Sequence, residues 1–169
     1  MQAQFKIQTQ LRRGVIDKGV GLLRIAYIEN MELWAEEFTF SVPVSVRFSE
    51  TDMYGHLNNT VTFAYFEYAR IEYLKHVGHM EEWLDPKGTT IPVVADLQCD
   101  YMKQVFFDEQ LSIYVKAASV GNSSVDIHYM AKNAKGEIAF TGRGTIVQID
   151  RRTGKSVPWK NDQKSGFSR

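Results

Sequence analysis

The chain has 169 residues, and its 20 lysines and arginines balance 20 aspartates and glutamates, so the formal net charge is zero. Hydrophobic residues make up 44% and charged residues 24%, which is typical of a globular protein with one core. This neutral balance disfavours nucleic-acid binding, and no apolar run reaches the ~18 residues of a membrane helix. The start of the chain does not resemble a secretory signal. The single cysteine, Cys99, excludes an internal disulfide and a multi-thiolate zinc site, so we expect a cytoplasmic protein.

The first part of the chain differs from the rest because its apolar residues are scattered. We expect residues 1–36 to be an N-terminal extension. Two interpretations stay open: a peripheral segment, including the case of a start codon wrongly chosen upstream of Met31, and an arm that packs on a partner subunit. Residues 37–158 are predicted to form one domain, and residues 159–169 a basic C-terminal tail.

The first predicted elements are a strand, a polar turn and a long helix. Apolar and polar residues alternate from Phe38 to Val46, the pattern of a half-buried strand. A polar turn over residues 49–59 leads into residues 61–78, where apolar residues recur every three or four positions. This helix is apolar on nearly every side and is therefore predicted to be buried. His76 and His79, near the end of this helix, are interpreted as cations that the helix dipole stabilises rather than as a pair of metal ligands.

Four further strands are predicted, over residues 93–102, 111–118, 124–131 and 138–146. Short turns and no crossover helix join them, so the sheet should be antiparallel. The sequence therefore predicts an α+β fold of the hotdog type, a five-stranded antiparallel sheet wrapped around one long central helix. Gly142 and Gly144 share a face of the last strand with Phe140, and we expect the helix to lie nearest the sheet there.

The polar turn before the helix carries the residues best suited to chemistry. Free N–H groups at a helix N-terminus can hold a polarised carbonyl oxygen, and a carboxylate such as Asp52 can attack that carbonyl or activate water. Gly55 allows a tight turn. Each polar residue also has a purely structural interpretation: Asp52 in the turn, His56 as a hydrogen-bonded histidine, and Asn58 or Asn59 as an N-cap.

These residues resemble a known family. The run Asp52-x-x-Gly55-His56-x-Asn58-Asn59, with the helix that follows it, resembles the acyl-CoA thioesterase branch of the hotdog superfamily, the 4-hydroxybenzoyl-CoA thioesterase-like group. The same run is similar to plant acyl-acyl carrier protein thioesterases, although those enzymes have asparagine at the position of Tyr54. The resemblance covers about residues 38–158 and includes Asp100-Tyr101-x-Lys103 and Ile149-Asp150.

The resemblance implies an enzyme that hydrolyses an acyl-CoA to a free carboxylic acid and CoA without a metal or an organic cofactor. It implies a homo-oligomer, a dimer or a dimer of dimers, with each active site between subunits. The family's catalytic carboxylate corresponds to Asp52, acting as base or nucleophile, with assistance from His56. Backbone N–H groups near Gly55, His56 and Leu57 would polarise the thioester carbonyl. The implied substrate-binding residues are Tyr54, Gly55, Leu57, Asn58 and Asn59.

Two other functions remain open for this turn: a hotdog protein that binds acyl-CoA without hydrolysing it, and a hotdog dehydratase that acts on a hydroxyacyl thioester. The end of the chain offers a separate candidate site, because residues 151–169 carry six lysines and arginines against Asp162 alone. Phosphates are commonly bound by such residues, so Arg151 and Arg152 are predicted to contact the phosphates of CoA. The alternative is a solvated basic tail.

Overall fold

The computed structural model describes residues 25–167. The strands are β1 (Phe40–Ser45), β2 (Thr90–Val94), β3 (Gln98–Tyr101), β4 (Gln110–Val120), β5 (Ser124–Asn133) and β6 (Ile138–Asp150). The α-helices are α1 (Met31–Glu36), α2 (Val61–His76), α3 (Met80–Leu84) and α4 (Asn161–Gly166). Among these helices, none combines the length and the apolar character that crossing a membrane requires.

The strands form one antiparallel sheet in the order β1-β4-β5-β6-β2, with β3 also pairing with β6. The strand predicted over residues 93–102 is therefore two strands, which pair with successive stretches of β6. The break coincides with a contact to β6, because the Asp96 carboxylate accepts a hydrogen bond from the Thr145 N–H at 2.8 Å. Gly144 makes room for this bend, since a Cβ there would lie 2.7 Å from the Asp96 carbonyl oxygen.

Helix α2 packs against the sheet through its aromatic residues. Phe66 is fully buried, and its ring stacks on that of Tyr129 with 4.4 Å between centroids. A Cβ on Gly142 would lie 2.4 Å from the Phe66 ring, so the predicted close approach of helix and sheet is confirmed at this residue. The prediction was wrong for Gly144, because the neighbouring atoms there belong to the segment between β2 and β3 rather than to the helix.

Residues 25–38 form a second apolar cluster, in which Ile25, Ile28, Trp34 and Phe38 pack with Met130 of β5. The Trp34 Nε1–H donates to His128 Nδ1 at 2.9 Å. Burial lowers the pKa of His128, and this favours the neutral ring that such an acceptor needs. These contacts tie the described part of the N-terminal extension to the sheet. Residues 1–24 lie outside the described residues, and the predicted boundary at residue 37 stays a prediction.

The C-terminal segment folds back onto the end of α2. Trp159 and Phe167 are each 4% exposed, so these two aromatic side chains anchor the described part of the predicted basic tail, whereas residues 151–156 are exposed. The Phe167 ring contacts His79 with 4.4 Å between centroids. His79 is buried, and burial lowers its pKa, so the interpretation of His79 as a helix-end cation was wrong. His76, by contrast, is exposed in the last turn of α2.

Candidate functional site

The turn between β1 and α2 is held together by hydrogen bonds to Asp52. Its Oδ1 accepts hydrogen bonds from the N–H groups of Tyr54 at 2.8 Å and His56 at 3.2 Å. The Gly55 N–H donates to the Asp52 carbonyl at 3.0 Å, and Gly55 has φ +79°, a left-handed conformation that favours glycine. The turn therefore fixes one carboxylate oxygen, whereas Oδ2 has no hydrogen-bond partner within residues 25–167.

The turn is anchored to its surroundings on two sides. The Leu57 N–H donates to the Val105 carbonyl at 2.7 Å, and the Asn58 N–H donates to the Glu50 carbonyl at 2.8 Å. The Tyr65 hydroxyl of α2 donates to Glu50 Oε2 at 2.6 Å. Burial, followed by the hydrogen bond to Glu50, raises the pKa of Tyr65, so the hydroxyl keeps its proton. The position of Asp52 is thus set by contacts to α2 and to the segment after β3.

Asn58 and Asn59 have different roles at the start of α2. Asn58 Oδ1 accepts hydrogen bonds from the N–H and the hydroxyl of Thr60, at 3.0 and 2.9 Å. The Asn59 carbonyl accepts from the hydroxyls of Tyr101 at 2.5 Å and Thr62 at 2.8 Å. The Asn59 N–H has no partner within the described part of the chain. The N-cap of α2 is Thr60, without a side-chain capping hydrogen bond, so the expectation that Asn58 or Asn59 caps the helix was wrong. Asn58 instead closes a turn just before the helix, and Asn59 presents an unused backbone donor.

The N–H groups expected to polarise a carbonyl are already occupied. Gly55 donates to the Asp52 carbonyl, His56 to the Asp52 carboxylate, and Leu57 to the Val105 carbonyl. This placement corrects the expectation that these three groups face a ligand. The structure needs them to hold the turn itself, which leaves the first turn of α2 and Asn59 as the nearby source of donors.

A cavity of about 480 Å³ opens beside the turn. It is lined by Asp52, His56, Leu57, Asn58, Asn59, Thr62, Tyr101, Met102, Lys103, Gln104, Val105 and Phe140. Five of the predicted site residues are thus brought together at one cavity. Tyr54 and Gly55 do not line it, and Tyr54 is 73% exposed. Sequence analysis missed the wall formed by Thr62, the segment from Tyr101 to Val105, and Phe140.

Two protonated side chains lie at this wall: Tyr101 lines the cavity, and Cys99 lies beside it. Burial raises the pKa of Cys99 to about 12, and burial likewise raises the pKa of Tyr101 to about 12. Both side chains are therefore neutral near pH 7, and Tyr101 keeps the proton that it donates to Asn59. The signal available in the sequence was the segment Asp100-Tyr101-x-Lys103, which resembles the family but has no spacing that assigns Tyr101 to this cavity.

Arg151 and Arg152 lie far from this cavity along the sheet. Phe140 lines the cavity, whereas Asp150 ends the same strand, and ten residues of strand extend for roughly 33 Å. The Arg151 guanidinium donates to the Trp83 carbonyl at 2.6 Å, so it has a structural contact of its own. Neither arginine contacts the cavity of its own chain.

Comparisons with known proteins identify the family of this chain. A family model described as the thioesterase-like superfamily matches residues 46–167, which is most of the chain and includes the turn and the cavity. The chain belongs to the thioesterase-like superfamily. This superfamily member is 46% identical to the protein YsmA of Bacillus subtilis (strain 168) over 140 residues, 82% of this chain and 92% of YsmA.

Solved structures resemble this superfamily member over most of their length. A DHNA-CoA thioesterase from Staphylococcus aureus is 26% identical, with a TM-score of 0.67 over 76% of this chain and 87% of the other. A thioesterase from Thermus thermophilus, complexed with coenzyme A and zinc, is 28% identical, with a TM-score of 0.65 over 78% and 99% of the two chains. The predicted hotdog fold is confirmed by these likenesses together with the sheet and helix described above.

Side chains that could hold a metal do not cluster within residues 25–167. No group of three or more histidine, cysteine, aspartate or glutamate side chains comes together there. His56 lines the cavity with its ring edge-on to Phe106, at 5.1 Å between centroids. The titratable groups of this thioesterase-like site are therefore Asp52, His56, Tyr101 and Lys103 at the cavity and Cys99 beside it.

Proposed function

We propose that this protein is an acyl-CoA thioesterase that uses Asp52 as its catalytic carboxylate. The observation that carries the proposal is the state of Asp52 at the cavity: two backbone N–H groups hold Oδ1, and Oδ2 has no partner among the described residues. A carboxylate in this state is held in place and still has an oxygen available to react. The thioesterase-like family and the CoA-bound solved relative support the same class of substrate.

The chemistry follows from where charge develops. The thioester carbonyl oxygen would lie at the start of α2, where the unused Asn59 N–H and the positive end of a 16-residue helix stabilise an oxyanion. Asp52 Oδ2 then acts in one of two ways. As a base it takes a proton from the water that attacks the carbonyl carbon, and returns it to the leaving CoA thiolate. As a nucleophile it forms an acyl-enzyme anhydride with loss of the thiolate, and water then cleaves the anhydride.

The other predicted site residues have smaller roles in this proposal. His56 lines the cavity, and its ring makes no hydrogen bond within the described residues, so it is free to assist proton transfer. Leu57, Asn58 and Asn59 line the substrate site. Gly55 shapes the turn, and Tyr54 would contact substrate from outside the cavity, at its exposed rim. We place the activity in the cytoplasm, where the single thiol, Cys99, stays reduced.

The test of this function is release of free thiol from a panel of acyl-CoA thioesters that varies in chain length and aromaticity. Thiol release from at least one ester, above the rate without protein, is expected. Binding of an acyl-CoA without thiol release would instead favour the non-catalytic alternative. Loss of water from a 3-hydroxyacyl-CoA, seen as formation of the conjugated double bond, would favour the dehydratase alternative.

We also propose that the working unit is a homodimer whose two sheets join edge to edge through β3. The support is the open edge that β2 and β3 present, together with exposed apolar residues near the cavity. Met53 is 88% exposed, Phe48 77%, and Tyr101 on β3 itself 44%. Unpaired strand edges of this kind are usually paired or covered. Sedimentation at micromolar concentration should show a dimer or a dimer of dimers, and an active monomer would contradict the proposal.

The proposed role of Arg151 and Arg152 in CoA binding now requires the second subunit. Because Arg152 lies at the far end of β6 from its own cavity, we propose that it meets the phosphates of CoA bound to the other subunit. Arg152→Glu should raise KM for acyl-CoA and weaken its salt dependence, with kcat nearly unchanged, because the nucleotide lies far from the reacting carbonyl. Arg151 is left intact because it donates to the Trp83 carbonyl.

The control for this variant is Lys75→Glu, an equal change of charge near the end of α2 that is remote from the cavity. Steady-state kinetics at several salt concentrations give both readouts. If Arg152→Glu and Lys75→Glu leave KM and its salt dependence equally unchanged, Arg152 does not contact CoA.

A further inference from the structure

The start of α2 is attached to a strand of the sheet edge by one tyrosine. Tyr101, the last residue of β3, donates its hydroxyl hydrogen to the Asn59 carbonyl at 2.5 Å, across 42 residues of sequence. Its oxygen also lies 2.9 Å from the hydroxyl of Thr62, in the first turn of α2. Tyr101 therefore links the sheet to Asn59, the residue whose N–H has no partner among residues 25–167.

We propose that Tyr101 is a positioning residue of the thioesterase site, which holds Asn59 so that its N–H meets the oxyanion. This inference rests on the proposed function and adds a residue to it. The carbonyl and the N–H of Asn59 flank the same Cα atom, so fixing the carbonyl restricts the direction of the N–H. An oxyanion donor acts through its preorganised geometry, and small misplacements are costly to the rate.

The surroundings of Tyr101 suit this role. The strand residue opposite Tyr101 is Phe140, which lines the same cavity, so the backbone that carries the phenol is part of the sheet. Burial raises the pKa of Tyr101 to about 12, so the hydroxyl remains a hydrogen donor across the pH range of ordinary assays. The Thr62 hydroxyl, in the adjacent helical turn, also donates to the Asn59 carbonyl. Among the described residues, only Tyr101 connects this carbonyl to a separate element, the strand β3.

An alternative role for Tyr101 is that its ring simply forms a wall of the cavity. The two roles are separated by Tyr101→Phe, which keeps the ring and removes only the hydroxyl. For a wall, the variant should behave as the parent protein. For the proposed anchor, kcat should fall roughly tenfold while KM stays within about twofold, because the lost restraint affects the transition state more than the bound substrate.

The experiment measures kcat and KM with the best acyl-CoA of the panel and, on the same proteins, amide hydrogen exchange over residues 58–63. Tyr101→Phe should speed exchange in this segment and leave the melting temperature and the oligomeric state close to those of the parent. Tyr68→Phe is the matched control, because Tyr68 lies on α2 and is 48% exposed. Thr62→Val removes the other hydroxyl at the Asn59 carbonyl, and should have a smaller effect on kcat than Tyr101→Phe.

The outcomes separate this inference from the proposed function. A parent protein that hydrolyses no acyl-CoA refutes the proposed function, and the exchange measurement then still decides whether Tyr101 holds the segment. Unchanged kcat in an active Tyr101→Phe protein, or unchanged exchange over residues 58–63, overturns the positioning role. A loss of kcat in Thr62→Val that equals or exceeds that in Tyr101→Phe also overturns it, since the anchor would then lie within the helix.

Discussion

Asp52→Asn should remove most thioester hydrolysis, with a loss in kcat of roughly 100-fold or more, the usual size of general acid–base catalysis. The change is isosteric, and the asparagine Oδ1 can still accept the hydrogen bonds that Tyr54 and His56 donate. The turn should therefore keep its conformation. The variant has an amide NH2 group in place of the charged Oδ2. This group can neither take a proton from water nor attack the carbonyl carbon.

A matched control exists elsewhere in the chain. The Asp85 Oδ1 accepts the Lys87 N–H at 2.8 Å, the same kind of turn contact, and Asp85 does not line the cavity. Asp85→Asn should retain full activity, and circular dichroism should show all three proteins equally folded. Near-normal hydrolysis by a well-folded Asp52→Asn protein would refute the proposed mechanism. We expect His56→Ala to cost less than Asp52→Asn.

Gly142→Ala should destabilise the fold, although it adds only one methyl group. The added Cβ would lie 2.4 Å from the ring of Phe66 and 2.7 Å from the Gln98 carbonyl oxygen. Phe66 is fully buried and stacks on Tyr129, so its ring cannot move aside without disturbing the core. Overpacking of this kind costs about 1–3 kcal/mol or more, which exceeds the ~0.4–1 kcal/mol that alanine contributes by restricting the unfolded chain.

Thermal unfolding followed by circular dichroism measures this effect. At a net cost of about 1–2 kcal/mol, we expect the melting temperature of a chain of this size to fall by roughly 2–8 °C. Gly121→Ala is the matched control, because its Cβ would meet the adaptable hydroxyl of Ser124 at 3.0 Å. It should unfold close to the parent protein. A Gly142→Ala protein as stable as Gly121→Ala would contradict the view that α2 and the sheet touch closely at this residue.

The predicted elements show where local patterns suffice. The alternation around Val42 and the helical spacing around Phe66 gave a strand and a buried helix, and the structure has both, at Phe40–Ser45 and Val61–His76. These patterns succeed because each element buries one set of side chains in one core. The break at Asp96 was missed because alternation continues through it, and it coincides with a contact to Thr145 on another strand.

In the candidate site, too, the sequence predicted the residues whose partners are near in sequence and missed those whose partners are distant. Asp52, Gly55 and Asn58 were identifiable because the contacts that form the turn lie within a few residues of sequence. The predicted N–H donors were wrong because the identity of a backbone partner is invisible in a residue pattern: the Leu57 N–H is taken by Val105, far along the chain. His79 was misinterpreted for a similar reason, since Phe167 covers it only in the folded chain.

By itself, the sequence determined the fold class, the turn that holds Asp52, and the resemblance that places a carboxylate at the start of a buried helix. Those features depend on local periodicity and on residues that bond to near neighbours. The tertiary structure decided the rest: that Tyr101 meets Asn59 across 42 residues, and that Phe140 lines the cavity while Arg152, beyond the end of the same strand, does not. Such contacts depend on strand register and chain reversal, which bring distant residues together through packing that no short stretch of sequence encodes.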